Sequence, residues 1–429
     1  MTDTVKTILL LGSGGREHAL AWKMAQSPAV TKIWVLPGSD GIATVDKVTC
    51  LVGNPADPDF VVHAARQLNP DLIFVGPEAP LAAGVVDALE AASFPVVGPT
   101  KAAAQLESSK IFSKQFMTEF GIPTAPFKVA DSYIAAEWVC GKWDIENKGI
   151  VIKADGLSAG KGVVVTHNRA EAFKTLHHFM MNPACSVKTK RILLEEKITG
   201  KEVSAFALCD GKTFQTLGYA CDYKRVNDND KGPNTGGMGG YAPKGWPSDK
   251  ARQFIEERVF RAAVEGMKKR GTPFKGILFA GLMIEGDDVQ VIEFNTRFGD
   301  PETQILLPLI AEDVVPLFAH AAKGTLEIAP PALRPENAVH VVLTSQGYPE
   351  TLGTGMRLGE NIEIPAASDN TLIFISGAKK LDSQWVNSGG RVIGVTALGA
   401  TMEEARTRAY AAVEKIHFRG AHWRKDIGK

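Results

Sequence analysis

The first hundred residues constrain the fold most. Short apolar runs at 5–11, 32–36, 71–75 and 95–98 alternate with helical stretches at 17–25, 59–68 and 81–91. Strands joined by helical crossovers predict a parallel, doubly wound sheet. A glycine or proline turn follows each strand: Gly12-Ser-Gly-Gly, Pro37-Gly, Gly76-Pro-Glu and Gly98-Pro-Thr. Ligands of open α/β sheets bind at those carboxyl ends. The chain runs on to 429 residues, enough for roughly two to four domains.

Beyond a helix expected around 110–119, Gly121-Ile-Pro-Thr-Ala-Pro predicts a linker. The pattern then changes. β-Branched runs at 149–154 and 162–166 flank Asp155-Gly-Leu-Ser-Ala-Gly-Lys, which predicts a long hairpin. Strands at 191–195, 203–209, 276–284 and 289–294, with a helix at 249–269, fit an antiparallel α+β section. Pro330, Pro331 and Pro335 mark another boundary. The tail predicts strands at 339–344, 371–376 and 391–397 and a helix at 402–415.

Charge and cysteine usage narrow the partners. Lys plus Arg is 48 and Asp plus Glu is 48. That balance removes the field that draws nucleic acid or an anionic membrane to a whole face. No apolar run approaches the ~20 residues that span a bilayer, and the opening run reads as a buried strand and not as a signal peptide. Cys50, Cys140, Cys185, Cys209 and Cys221 form no CxxC pair, so neither a disulfide framework nor a zinc site is expected. The expectation is a soluble cytoplasmic protein with small-molecule partners, no nucleic acid and no membrane.

Four segments carry chemistry. Gly12-Ser-Gly-Gly-Arg-Glu-His opens a helix, where backbone N–H groups can hold a phosphate. A dinucleotide fingerprint needs glycine where Glu17 stands, and no acidic residue ends the second strand to take a ribose diol. Another anion is therefore expected. The loop from Asp155 to Gly162 lacks Walker A spacing and no helix follows it. A hairpin tip with free N–H groups and Lys161 can fold over a triphosphate like a lid. Lys153 has apolar neighbours, points inward and needs an anion partner. In Val291-Ile-Glu-Phe-Asn-Thr-Arg-Phe-Gly-Asp-Pro-Glu302, alternation puts Glu293, Asn295 and Arg297 on one face and Ile292, Phe294 and Phe298 on the other. Oxygen ligands from Glu293 and Asn295 suit Mg²⁺ or Mn²⁺, and Arg297 can clamp a carboxylate or phosphate. The polar stretch from Asp222-Tyr-Lys-Arg to Gly232-Pro-Asn-Thr-Gly-Gly-Met-Gly239 brings backbone close to a ligand, with Lys224 and Arg225 near a phosphate. Each segment also has a plain reading: a packing turn, an ordinary hairpin, a solvated Glu–Arg pair, a basic loop.

In this order the pieces resemble the ATP-grasp ligases and, more closely, the phosphoribosylamine–glycine ligase (glycinamide ribonucleotide synthetase) family. Gly76-Pro-Glu-Ala-Pro-Leu, Gly389-Gly-Arg-Val and Arg424-Lys-Asp-Ile-Gly also fit, so the resemblance spans nearly the whole chain. It implies a multidomain α/β and α+β fold. A Rossmann-like N-terminal domain at 1–103 precedes an ATP-grasp core at 104–123 and 191–329. A lid domain at 124–190 is inserted in the core, and a small C-terminal domain covers 330–429. The implied reaction joins glycine to 5-phosphoribosylamine through a glycyl phosphate, with ATP giving ADP and phosphate, in de novo purine biosynthesis. The family also implies a monomer, without the further catalytic domains of fused relatives. The alternative is another ATP-grasp carboxylate–amine ligase.

By the same resemblance, Glu293 and Asn295 hold the Mg²⁺ or Mn²⁺. Lys110, Lys153, Gly160, Lys161 and Gly162 contact the phosphates of ATP, Glu195 and Lys197 belong to the adenine hinge, and Glu202 takes the ribose. Arg297 serves catalysis. Asn234, Thr235, Gly236, Gly237 and Met238 position glycine and the acyl phosphate, and Asp222 and Lys224 join the substrate side. Gly12, Gly14, Gly15 and Glu78 help bind phosphoribosylamine. The chain departs from the family pattern at Ser158, Lys197, Cys221 and Ser376, and no carboxylate lies at 279–284.

Overall fold

The structure, a computed structural model, describes residues 4–158, 161–327, 329–349, 355–365 and 370–429. Its first layer is an all-parallel sheet in the order Val48–Cys50, Lys32–Pro37, Thr7–Gly12, Leu72–Val75, Val96–Val97. The central strand is a continuous apolar run because helices cover both faces. Ile8, Leu9, Leu10 and Leu11 are all fully buried. The edge strand Val48–Cys50 was not expected: three half-exposed or exposed residues give no apolar run to read. The helix expected at 81–91 is two, Glu78–Ala83 and Val85–Ala91, broken at Gly84 with φ +92°, a backbone that favours glycine.

A second sheet is antiparallel, in the order Phe127–Ala130, Ile192–Glu195, Ile150–Ala154, Val163–Thr166. The expected hairpin is its outer pair, with Lys153 opposite Val163. Helices Tyr133–Gly141 and Arg169–Met180 cover it, packing Cys140, Leu176 and Phe179 onto Ile152 and Leu194. Ile192–Glu195, placed with the core by the sequence reading, pairs inside this sheet.

The third sheet has eight strands. Asp288–Asn295, Lys275–Glu285, Lys201–Asp210 and Phe214–Asp222 are followed by Gly239–Ala242, Asn337–Thr344, Arg391–Gly399 and Thr371–Ile375. One ladder thus runs from the expected core into the C-terminal segment. Gly239–Ala242 is the junction, pairing with Cys221 and Asp222 on one side and with 338–341 on the other. The helical stretch 249–269 is present, with Ile255–Arg261 wound in π form. Glu302–Leu309 and Val314–Lys323 are further, largely buried helices. Among the described residues no helix is long and apolar enough to cross a membrane.

Candidate active site

A cleft opens where the second sheet, helix Lys110–Glu119 and strand Asp288–Asn295 meet, with Glu78 reaching in from the first layer. Its floor is a buried ion cluster. Lys153 Nζ lies 3.0 Å from Glu195 Oε2, and Lys114 Nζ lies 3.3 Å from the same oxygen. Lys153 also donates to the Ile292 carbonyl at 3.2 Å, and Lys114 to Thr124 Oγ1 at 2.5 Å. Lys153 therefore does point inward, and Glu195 is its anion partner. Two ammonium groups thus share one carboxylate in a buried floor. Burial, only partly offset by Glu195, brings Lys114 down to about 8. The other oxygen, Glu195 Oε1, is buried without a hydrogen-bond donor among the described residues. Lys114 was missed in the sequence, although it sits one helical turn from Lys110 on the same face.

Strand Asp288–Asn295 does not alternate cleanly. Leu282 pairs with Val291 and Gly281 with Glu293, so Ile292 is an extra, bulged residue. Glu293 and Asn295 still share a face. Arg297 lies beyond the strand end and reaches the cleft through the following turn, and Ile292 and Phe294, expected on the opposite face, also contribute to the cleft wall. Burial alone would raise the Glu293 carboxyl, but Lys153, Lys224, Lys110 and Arg297 hold it below its usual range. None of these cations makes a direct ion pair with it among the described residues. Arg297 is gripped on two sides, by Glu107 Oε1 at 2.8 Å and Glu78 Oε2 at 3.3 Å, and its protonated form is strengthened despite burial. Glu107 also accepts from the Thr296 backbone N–H and hydroxyl. Nothing in the sequence around Glu107 announces that role.

Four cations (Lys110, Lys114, Lys153, Arg297) and four carboxylates (Glu78, Glu107, Glu195, Glu293) line the cleft, a formal balance of zero. Such a cleft holds a polyanion only with help from a further cation. Glu293 and Asn295 supply two hard oxygens, and no group of three His, Cys, Asp or Glu converges among the described residues. That donor set fits an ion that completes its shell with phosphate and water, as Mg²⁺ does.

The glycine hairpin is tethered at its root. Asp155 Oδ1 accepts from Ser109 Oγ at 3.0 Å and from the Ile111 N–H at 3.2 Å, and Lys110 Nζ donates to the Gly156 carbonyl at 2.7 Å. Gly162 is buried and its carbonyl accepts from the Ala154 N–H, while Lys161 is exposed; Gly160 lies outside the described residues. Glu202 and Lys224 form an ion pair. Asp222 beside them is pushed up to about 7, mainly by burial, and Lys224 is raised well above its usual value because Asp222, Glu202 and Glu293 outweigh its burial. Lys197 does not join the cleft: its ammonium bonds His167 Nε2 at 3.0 Å.

The first-strand turn is partly occupied by its own helix. Gly14 N–H donates to Glu17 Oε2 at 2.7 Å, and Arg16 Nε pairs with Glu17 Oε1 at 2.6 Å. Glu17 fills the space beside Gly12 and Gly76, and a Cβ on either would strike it. This explains the failure of the dinucleotide pattern at this position. The Asn234–Met238 loop lies nearby but along the C-terminal segment. Asn234 is exposed and Met238 fully buried. Thr235 bonds the Lys224 carbonyl, Gly236 N–H donates to the Tyr348 hydroxyl at 3.0 Å, and Gly237 N–H donates to Thr235 Oγ1. Arg391 Nη1 donates to the carbonyls of Gly236 (2.7 Å) and Asp300 (2.8 Å) and to Asp300 Oδ1 (3.2 Å). Arg391 and Asp300 were not identified as a pair, because 91 residues separate them.

Three family models together match most of the chain. The phosphoribosylglycinamide synthetase N domain matches 6–107, the ATP-grasp (A) domain 108–303 and the C domain 338–429. A phosphoribosylamine–glycine ligase of Rhodopirellula baltica is 42% identical over 426 residues, covering 98% of this chain and 96% of its own. The crystal structure of a phosphoribosylamine–glycine ligase from Thermotoga maritima matches with a TM-score of 0.84 at 33% identity, over 98% of this chain and 100% of that one. The biotin carboxylase domain of a 2-oxoglutarate carboxylase from Hydrogenobacter thermophilus, solved with MgADP and bicarbonate, has a TM-score of 0.72. It covers 98% of this chain and 92% of its own at 16% identity, a likeness of fold alone.

Proposed function

The chain belongs to the phosphoribosylglycinamide synthetase family, and from that premise we infer that it is an ATP-dependent ligase joining glycine to 5-phosphoribosylamine in de novo purine biosynthesis. A carboxylate is a poor acyl donor because its leaving group is oxide. Phosphoryl transfer from ATP to the glycine carboxylate gives glycyl phosphate, which has a good leaving group. The amine then attacks the carbonyl carbon and phosphate departs. The chain must hold three anionic partners together and keep water from the acyl phosphate.

The residues divide that work. Lys110, Lys153 and the flap that carries Lys161 and Gly162 take the ATP phosphates, and Lys110 exchanges the Gly156 carbonyl for them. The open oxygen Glu195 Oε1 is an acceptor suited to the adenine amino group, and Glu202 faces the ribose. Lys197 contributes to the hinge through its backbone, since its side chain is turned to His167. Glu293 and Asn295 would hold Mg²⁺ or Mn²⁺, which when bound neutralises phosphate charge as a Lewis acid. Arg297, fixed between Glu78 and Glu107, turns its remaining N–H groups to glycine and the acyl phosphate. Asp222, Lys224 and the Asn234–Met238 loop border the glycine side, and the turn of Gly12, Gly14 and Gly15 borders phosphoribosylamine. A cytoplasmic monomer completes the proposal.

The observation that carries it is Glu293, without a direct ion-pair partner among the described residues, in a charge-balanced cleft where four cations converge. A coupled ADP assay, with each substrate omitted in turn, tests it. ADP release should require glycine and phosphoribosylamine together. Rapid ADP release with bicarbonate in place of glycine, and none with glycine, would overturn the reading.

A further inference from the structure

The amide-forming step leaves one requirement unmet by the residues above. As the amine nitrogen bonds to the carbonyl carbon and the C–O bond to phosphate breaks, the nitrogen must give up a proton. Most carboxylates near the turn are engaged. Glu17 caps the helix and pairs with Arg16. Glu78 and Glu107 grip Arg297, and Glu302 is buried against the Ser204 hydroxyl. Asp300 differs. It lies three residues past Arg297, and Arg16 Nη1 bonds the Phe298 carbonyl between them. Its Oδ1 is anchored by Gln304 Nε2 at 2.8 Å and Arg391 at 3.2 Å. Its Oδ2 takes no hydrogen bond among the described residues and faces the glycine turn, 3.7 Å from where a Cβ of Gly14 would lie. Burial opposes its charge, but Arg391, Arg16 and the Gln304 amide keep it ionised.

We propose that Asp300 is the catalytic group that receives the proton from the phosphoribosylamine nitrogen during attack on glycyl phosphate, with Arg391 of the C-terminal segment as its positioning residue. The nitrogen gains the bond to carbon, inorganic phosphate leaves with the C–O electron pair, and the proton passes to Oδ2 and then to water. The assignment rests on the ligase reading given above.

The test separates the two half-reactions. Hydroxylamine, a strong nucleophile, is added beside phosphoribosylamine, competes with it for glycyl phosphate and traps that intermediate as the hydroxamate. Wild-type protein that releases no ADP from ATP with glycine and phosphoribosylamine both present would sink the ligase reading itself and not this assignment alone. In D300N, which retains an acceptor for Gln304 and Arg391, the kcat of amide formation should fall on the order of 10²-fold or more, while hydroxamate formation stays within about threefold. D300E, which keeps a carboxylate, should recover part of the kcat. Three results would each overturn the proposal: unchanged kcat in D300N; a change confined to the KM of phosphoribosylamine; or equal loss of hydroxamate and amide in both variants.

Discussion

Glu293 sits in the field of four cations yet makes no ion pair among the described residues, so its charge is available to a ligand. Replacing it with alanine removes a hard oxygen and leaves Lys110 and Lys153 facing each other's charge. Turnover of Glu293→Ala should fall on the order of 10²-fold or more at every Mg²⁺ concentration, read as ADP release across a Mg²⁺ titration. Normal turnover in that variant at every Mg²⁺ concentration would remove the residue from the ion's ligand set. Lys114 makes a second residue-level prediction. It keeps its proton below about pH 8 and releases it above, so the floor loses a positive charge as pH climbs from 7 to 9. Nucleotide affinity should weaken over that interval in calorimetric titrations, and Lys114→Arg should flatten the dependence. A pH-independent affinity in the native protein would exclude Lys114 from nucleotide binding.

At the scale of elements, the tether between the hairpin root and helix Lys110–Glu119 is the most exposed to test. Asp155 acts on the helix N-terminus from outside it, accepting from Ser109 and Ile111. Asp155→Ala should cost about 1 kcal/mol of stability and raise the KM for ATP more than it lowers kcat. Urea denaturation and steady-state kinetics check the two parts. The same scale shows what the sequence disclosed. The parallel strands were legible because four apolar runs are buried on both faces, and the hairpin because its β-branched runs bracket glycines. Phe214–Asp222 was missed because Gln215, Thr216 and Gly218 break its apolar pattern. The bulge at Ile292 was invisible because it depends on the register of a partner strand. Lys153 could be read from its neighbours alone. Glu107 and the Asp300–Arg391 pair could not, since the residues that meet there lie far apart along the chain.

For the whole molecule, two buried histidines join regions distant in sequence. His18, on helix Gly15–Ala25, accepts from the Ile375 N–H at 3.0 Å, and His340 meets Thr396 Oγ1 at 2.8 Å. Burial lowers them from 6.5 to about 4 and about 3. Unfolded histidines bind protons first, so this stability is present above pH 6.5 and lost as pH falls toward 4. The slope approaches about 1.4 kcal/mol per pH unit for each. Urea midpoints at pH 7, 6 and 5 should fall accordingly, and His340→Gln should make the fall shallower. An unchanged slope in that variant would place the acid sensitivity elsewhere. The eight-stranded ladder has its own consequence for protein engineering. Ending the chain near 330 would strip Gly239–Ala242 of its neighbour at 338–341 and bare a raw hydrogen-bonding margin. Such a fragment should clump in light-scattering measurements instead of yielding a minimal ligase, so shortening this enzyme demands a surrogate strand.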